Sequence, residues 1–237
     1  MNIIRTKSEP PQTPFAPQWN YHLGHEFISN VDFKEIAKIV LIKEKEILAK
    51  FPPAESPAND FRHYSISSVD GYTGLGKNSL TSRHQHFDIF SWEEPEIKKL
   101  KPIILDFHSR FLNEIKIKGL SDFTLSGWAN VMRKGESIKA HIHSIAPFAY
   151  LSGHICIQCE NTATYYINPV DQLNEPRTLK LPNEVGQIIL FPSCVPHYTD
   201  TQLGNKERIT IAFDFNVQPQ KNVMANSYIN INNIKKE

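Results

Sequence analysis

Two histidines one residue apart, His141 and His143 in "SIKAHIHSIAPF", sit in a run with strand composition. Alternate residues of a strand project to the same side, which sets these Cβ atoms roughly 6.5 Å apart after two rises of about 3.3 Å. A metal ion about 2.1 Å from each imidazole nitrogen bridges that gap. A third histidine, His197, follows the tight segment "FPSCVP", which reads as the end of another strand. Two ligands from one strand and one from a distant strand make a facial set. Such a set leaves the opposite face of an octahedral metal open for substrate, cosubstrate or oxygen. His-x-His alone is a weak motif, and its weight comes from the β context and from Arg208 in "ERITIAF".

That last run has two faces. Ile209, Ile211, Phe213 and Phe215 share one; Arg208, Thr210, Ala212, Asp214 and Asn216 share the other. Four large apolar side chains need a cover, and the opposite face then looks inward with a cation near its mouth. An inward charge is unfavourable unless it meets an anion, so something negative is expected there.

The elements around these residues follow from pattern. Residues 8–19 carry four prolines and read as an extended arm. "VDFKEIAKIVLIKEKEILAKF" reads as a helix, with a capping box from Asp32 and Glu35 and with Phe33, Ile36, Val40, Ile47 and Phe51 near one face. A second helix follows from Pro95, its stripe running through Ile97, Leu100, Ile104, Phe107, Phe111 and Ile115, with Pro102 kinking it or moving its start later. From about residue 123 short β-rich runs alternate with turns. Eight strands at this spacing predict a sandwich or jelly roll. The reading is one domain of α+β class: helices and a lid-like, glycine-hinged loop (69–92) within 1–122, a β core over 123–217, and a peripheral tail, 218–237.

Composition excludes several classes. The 26 basic and 25 acidic side chains nearly cancel in 237 residues, which argues against nucleic-acid binding and against a membrane-surface protein. No stretch has signal-peptide or membrane-span character, and three cysteines suit a reducing compartment, so a soluble cytoplasmic protein is expected. Cys156 and Cys159 form a C-x-x-C, but positions i and i+3 of a regular strand face opposite sides, so structural thiols are the expectation.

The string H-x-H, then "SG" opening a strand, then "GQIILFPS" with His197 and "ERITIAF", resembles the iron(II)/2-oxoglutarate-dependent oxygenases, firmly over 123–217. The resemblance implies a double-stranded β-helix (jelly roll) with helices packed on the outer sheet face, and Fe(2+), 2-oxoglutarate and O2 as the cofactor set. It implies a hydroxylation that releases succinate and CO2, with a small-molecule or amino-acid-like substrate. His141 matches the first ligand and His197 the distal one. Arg208 matches the anchor of the far carboxylate of 2-oxoglutarate, and Thr210 the hydroxyl that assists it. Where the family pattern has Asp or Glu, this chain has His143. Either His143 ligates, making a three-histidine centre one unit more positive than usual, or it turns away.

Asn130, on the first strand of the core, and Tyr150 are further candidates for holding 2-oxoglutarate. Trp128 and His154 read as core residues, and the second H-x-H, His84 with His86, as loop histidines near the pocket mouth. The alternative enzyme is a three-histidine dioxygenase of cupin type, which explains His143 better and Arg208 worse. A non-catalytic jelly-roll module leaves histidines and arginine without a common purpose. Oligomeric state has no signature in the sequence.

Overall fold

In the computed structural model the described residues are 1–16, 18–52, 74–76, 78–119, 122–146, 148–167 and 178–217. The tail 218–237 and residues 69–73 and 77 of the lid-like loop lie outside them.

Two antiparallel sheets organise the chain. The larger contains β1 (Asn2–Lys7), β2 (Asn20–Phe27), β3 (Phe123–Met132), β4 (Leu151–Gln158), β7 (Gln187–Pro192) and β9 (Arg208–Val217), in the order β1-β2-β7-β4-β9-β3. The smaller contains β5 (Ala163–Ile167), β6 (Thr178–Pro182) and β8 (His197–Thr199), in the order β6-β5-β8. β3 and β9 pair over their whole length, Phe123 opposite Val217 through Met132 opposite Arg208. The alternation read from sequence therefore sorts the neighbours too. Asn130 lies beside Thr210, and Ser152, His154 and Cys156 lie beside Asp214, Ala212 and Thr210, all on the inner face. Arg208 reaches across to Thr164 of β5, so this face looks onto the smaller sheet.

The outer face is covered as its four large apolar residues require. α1 (Phe33–Lys50), α2 (Pro95–Lys98) and α3 (Leu100–Glu114) supply Ile36, Val40, Ile97, Ile104, Phe107 and Phe111 to one buried cluster with Ile209, Ile211, Phe213 and Phe215. Asp32 caps α1 by accepting from the backbone N–H groups of Lys34 and Glu35, both at 3.0 Å. The return bond of the expected capping box comes from elsewhere: the Asp32 N–H donates to Glu96 at the start of α2, 2.9 Å away, which ties the two helical segments together. Pro102 falls in the first turn of α3, where its missing N–H has no partner to lose.

β4 runs between β7 and β9, and at its centre only glycine fits. A Cβ on Gly153 would lie 2.3 Å from the Ile189 carbonyl oxygen and 2.4 Å from the Phe213 ring. Because one obstacle is backbone, Gly153→Ala is expected to destabilise by about 3 kcal/mol. Thermal melting should register a fall of roughly 5–10 °C, and an unchanged melting temperature would contradict this packing.

Two features differ from the sequence expectation. "SIKAHIH" is not a strand; its only ladder contact is an isolated bridge between His141 and His197. β1 and β2, which flank the arm 8–19 and were not read as strands, add two strands to the larger sheet. Among the described residues no helix is long and apolar enough to cross a membrane.

Candidate metal centre

The His141 N–H donates to the His197 carbonyl (3.1 Å) and the His197 N–H to the His141 carbonyl (3.0 Å), while the His143 N–H donates to the Ser193 carbonyl (2.9 Å). Backbone bonds thus fix this otherwise irregular segment against β8 and the turn before it. One ligand atom from each of His141, His143 and His197 lies within 4.8 Å of the others. Ring centroids stand 4.3, 5.5 and 5.1 Å apart for the pairs 141–197, 141–143 and 143–197.

Each ring has one nitrogen already committed. Nδ1 of His141 faces the Lys139 carbonyl at 2.8 Å, Nδ1 of His197 faces the Val195 carbonyl at 3.1 Å, and Nδ1 of His143 faces Asp214 Oδ1 at 2.6 Å. All three partners are acceptors, so each Nδ1 carries the proton and each Nε2 keeps its lone pair. This is the arrangement that metal-bound imidazoles adopt. Three neutral nitrogen donors in a close group, backed by acceptors, fit a divalent transition metal with positions left open.

Asp214 changes the charge expected for the site. Burial, the largest influence on its carboxyl, would raise the pKa, but the charge and hydrogen bond of His143, the Ser152 hydroxyl and His84 together bring it below the ordinary value. Ser152 Oγ donates at 2.6 Å, and Ser193 Oγ stands 2.8 Å behind it. A carboxylate therefore stands one hydrogen bond behind His143. The extra positive unit expected from replacing Asp by His is offset through the imidazole.

Burial also favours the neutral imidazole at His141 and His197. The His141 ring is pushed down to about 4 by burial and by neighbouring His143; His197 is pushed well below the ordinary value for the same first reason, with both other ligands adding. His154 is pushed down to about 3 by burial, Arg208 and His143. Groups whose folded pKa lies below the unfolded value of about 6.5 take up protons preferentially on unfolding as pH falls. The metal-free protein is thus expected to lose stability from pH 6.5 downward, by about 1.4 kcal/mol per pH unit for each such imidazole. Urea midpoints between pH 7 and 5 read this; a flat profile contradicts it.

Deeper in the same interior lies Arg208, 2 % exposed. Its guanidinium contacts Thr164 Oγ1 (3.3 Å), Met132 Sδ (3.8 Å) and, with the Asn183 amide turned to satisfy its neighbours, the Asn183 side-chain oxygen (3.2 Å). No carboxylate pairs with it among the described residues. Two buried polar atoms that feel its charge have no hydrogen-bond partner among the described residues: His154 Nε2 and the Tyr166 hydroxyl. Tyr166 links the two ends of this space, since its hydroxyl feels Arg208 and its ring stacks on His197 at 5.8 Å. A buried cation with unmatched polar atoms within its field fits a polar anion.

Not every expected residue joins the group. Thr210 is buried on the inner face beside Arg208, and Asn130 beside it accepts from Thr81 Oγ1 at 2.7 Å. Tyr150 is placed on the helical side: its hydroxyl meets His108 Nε2 at 3.0 Å and its ring packs edge-on to His108 and Phe215. Trp128, expected in the core, stands 5.5 Å from the His143 ring, and His84 stands 5.9 Å from Trp128, at the mouth. His86 turns away to stack on Phe51. Tyr166, Asn183 and the role of Asp214 were not read from the sequence. Asp214 was legible in one respect, since it shares the inward parity of Arg208.

Residues 126–214 match a family model described as "Putative 2OG-Fe(II) oxygenase". The structure resembles that of a prolyl-4-hydroxylase from Pseudomonas putida (TM-score 0.53, 9% identity, 83% of this chain and 93% of that one). It also resembles a prolyl hydroxylase from Trichoplax adhaerens solved with a hypoxia inducible factor peptide fragment (TM-score 0.51, 14% identity, 83% of each chain). No curated protein matches the sequence.

Proposed function

We propose, for a chain whose residues 126–214 match the model of a 2OG-Fe(II) oxygenase family, that the interior between its two sheets is the active site of a hydroxylase. The family's cofactor set is iron(II), 2-oxoglutarate and O2. We read the facing sheets as a double-stranded β-helix in which the segment at His141 takes the place of a strand beside β8.

In this reading His141, His143 and His197 hold iron through Nε2. Arg208 holds the far carboxylate of 2-oxoglutarate by a charge-assisted pair, with Thr210 and Thr164 beside it. The Tyr166 hydroxyl and His154 Nε2 offer the remaining polar contacts, and Asn130 borders the pocket. The chemistry such a centre supplies is oxidative decarboxylation of 2-oxoglutarate to succinate and CO2, coupled to hydroxylation of the substrate. The chain's own contribution is placement and exclusion of water. Phe191 (4.7 Å from His197, ring to ring) and Trp128 wall the imidazoles, and the turn Thr81–His86 packs over Trp128 and Asn130.

The substrate we propose is a small molecule or amino-acid-like group. Ile142, Ile145 and Phe148, which border the ligand pair, are exposed and give the approach an apolar rim. The prolyl hydroxylases that share the fold support an amino-acid-like group. Free thiols and a net charge of +1 support a cytoplasmic site of action.

One observation carries the proposal: a buried guanidinium without a carboxylate partner among the described residues faces the same interior as three convergent imidazoles. A three-histidine dioxygenase working without a cosubstrate would leave that cation unmatched. Iron-dependent, substrate-dependent formation of succinate from 2-oxoglutarate is the expected result. Oxygen consumption with an oxidised product and no succinate would favour the cosubstrate-free reaction.

A further inference from the structure

Regular alternation would separate Cys156 from Cys159, but β4 is not regular at its end. Cys156 pairs with Thr210, whereas Gln158, not Ile157, pairs with Ile209. The extra residue is a bulge, and it turns Cys159 back to the face that Cys156 occupies, level with Arg208. The outcome is a juxtaposition that the spacing alone would deny: the two thiols share one face, close enough for each to shift the other's titration. Cys159 Sγ also donates to the Asn183 carbonyl at 3.2 Å, and the Asn183 side-chain oxygen accepts from Arg208 Nε. The pair is thus built into the surroundings of the guanidinium.

The two sulfurs are not equivalent. Cys156 is fully buried and Cys159 partly exposed. Cys159 is pushed down by Cys156, with Arg208 adding, against burial, Glu184 and Glu160; Cys156 is pushed up by Cys159 and by burial. An accessible sulfur leaning toward thiolate, with a buried one on the same face of the bulged strand, is the arrangement of an attacking and a resolving cysteine.

We propose that Cys156 and Cys159 are a dithiol that hydrogen peroxide closes to a disulfide beside Arg208. The Cys159 thiolate attacks one peroxide oxygen; the O–O bond breaks, the departing hydroxide takes a proton to leave as water, and the sulfur becomes a sulfenic acid. Cys156 then attacks that sulfur, the S–O bond breaks, and a second water leaves with the Cys156 proton. Two thiols and one peroxide give one disulfide and two waters. The guanidinium that steadies the Cys159 thiolate is also the proposed carboxylate anchor, so a dicarboxylate seated on Arg208 withdraws that support and slows the first step. This coupling rests on the function proposed above; the disulfide itself does not.

The test uses the full-length, metal-free protein with hydrogen peroxide, with and without glutarate, which has the two carboxylates but no keto group to turn over. Intact mass and peptide mapping after thiol blocking are expected to show loss of two hydrogens and a Cys156–Cys159 bond. Cys156→Ala should stop at Cys159 sulfenic or sulfinic acid, and Cys159→Ser should not react at Cys156. Glutarate should slow the reaction severalfold in the wild type and not in Arg208→Gln. Absence of that disulfide, or a bond to Cys194 instead, overturns the dithiol and leaves the anchor untouched. A disulfide that forms at the same rate with glutarate overturns the coupling and counts against the anchor alone.

Discussion

Arg208→Ala weakens 2-oxoglutarate binding by roughly 30- to 3,000-fold, the range for removing one partner of a buried charged pair. Iron(II) binding should stay within about threefold, because nothing in the imidazole group touches the guanidinium. Anaerobic titrations of each ligand separate the two. The physical reason is the imbalance around Arg208: donors face Thr164 and Asn183, a soft contact faces Met132, and no carboxylate faces it among the described residues. Such a charge destabilises the empty fold and is offset only when an anion enters. Removing it therefore leaves stability unchanged or raised, while binding collapses. An arginine kept for structure predicts the opposite: a clear loss of melting temperature. Equal loss of iron and 2-oxoglutarate binding with an intact fold would show the anchor to be misassigned.

Asp214→Asn separates charge from orientation at the metal. The amide oxygen can still accept the His143 Nδ1–H and keep the ring where the Asp214 bond holds it at 2.6 Å. What disappears is the negative charge behind the imidazole. Iron(II) affinity is expected to fall about tenfold for Asn and toward about a hundredfold for Ala, which loses the orientation as well. The iron(III)/iron(II) potential should rise in both, since the oxidised ion loses more from a missing anion. A purely structural Asp214 would leave the potential where it is. Unchanged affinity and potential in Asp214→Asn would restore the view that this centre is simply one charge unit more positive than one with a carboxylate ligand.

The sequence made some of this legible and hid the rest for identifiable reasons. Alternation along 208–216 sorted the outer apolar residues from the inner polar ones because β9 is regular and paired throughout. Helix faces were readable because their stripes cover that sheet. His141, His143 and His197 were found from spacing even though 141–143 is not a strand; one bridge and a few backbone bonds to β8 and its preceding turn suffice to aim them. The bulge at Ile157 was invisible, since an extra residue leaves no mark in composition, and with it went the shared face of the two thiols. β1 and β2 were obscured by the prolines between them, although Tyr21, Leu23 and His25 do alternate. Tyr150, read as a contact for 2-oxoglutarate, has its hydroxyl at His108, a pairing that strand alternation does not reveal. Asp214 is the instructive case. Its inward parity was noted, but only the cross-strand position of His143 reveals what it faces.

The central claim is that three imidazoles bind one iron in the same cavity in which Arg208 receives a dicarboxylate. Anaerobic addition of 2-oxoglutarate to the iron(II)-loaded protein tests it most directly, by the visible charge-transfer absorption of the chelate. A saturable band is predicted for the wild type, displaced to far higher 2-oxoglutarate in Arg208→Ala and absent in His197→Ala. Iron bound without any such band, or a band that survives unchanged in Arg208→Ala, would contradict it.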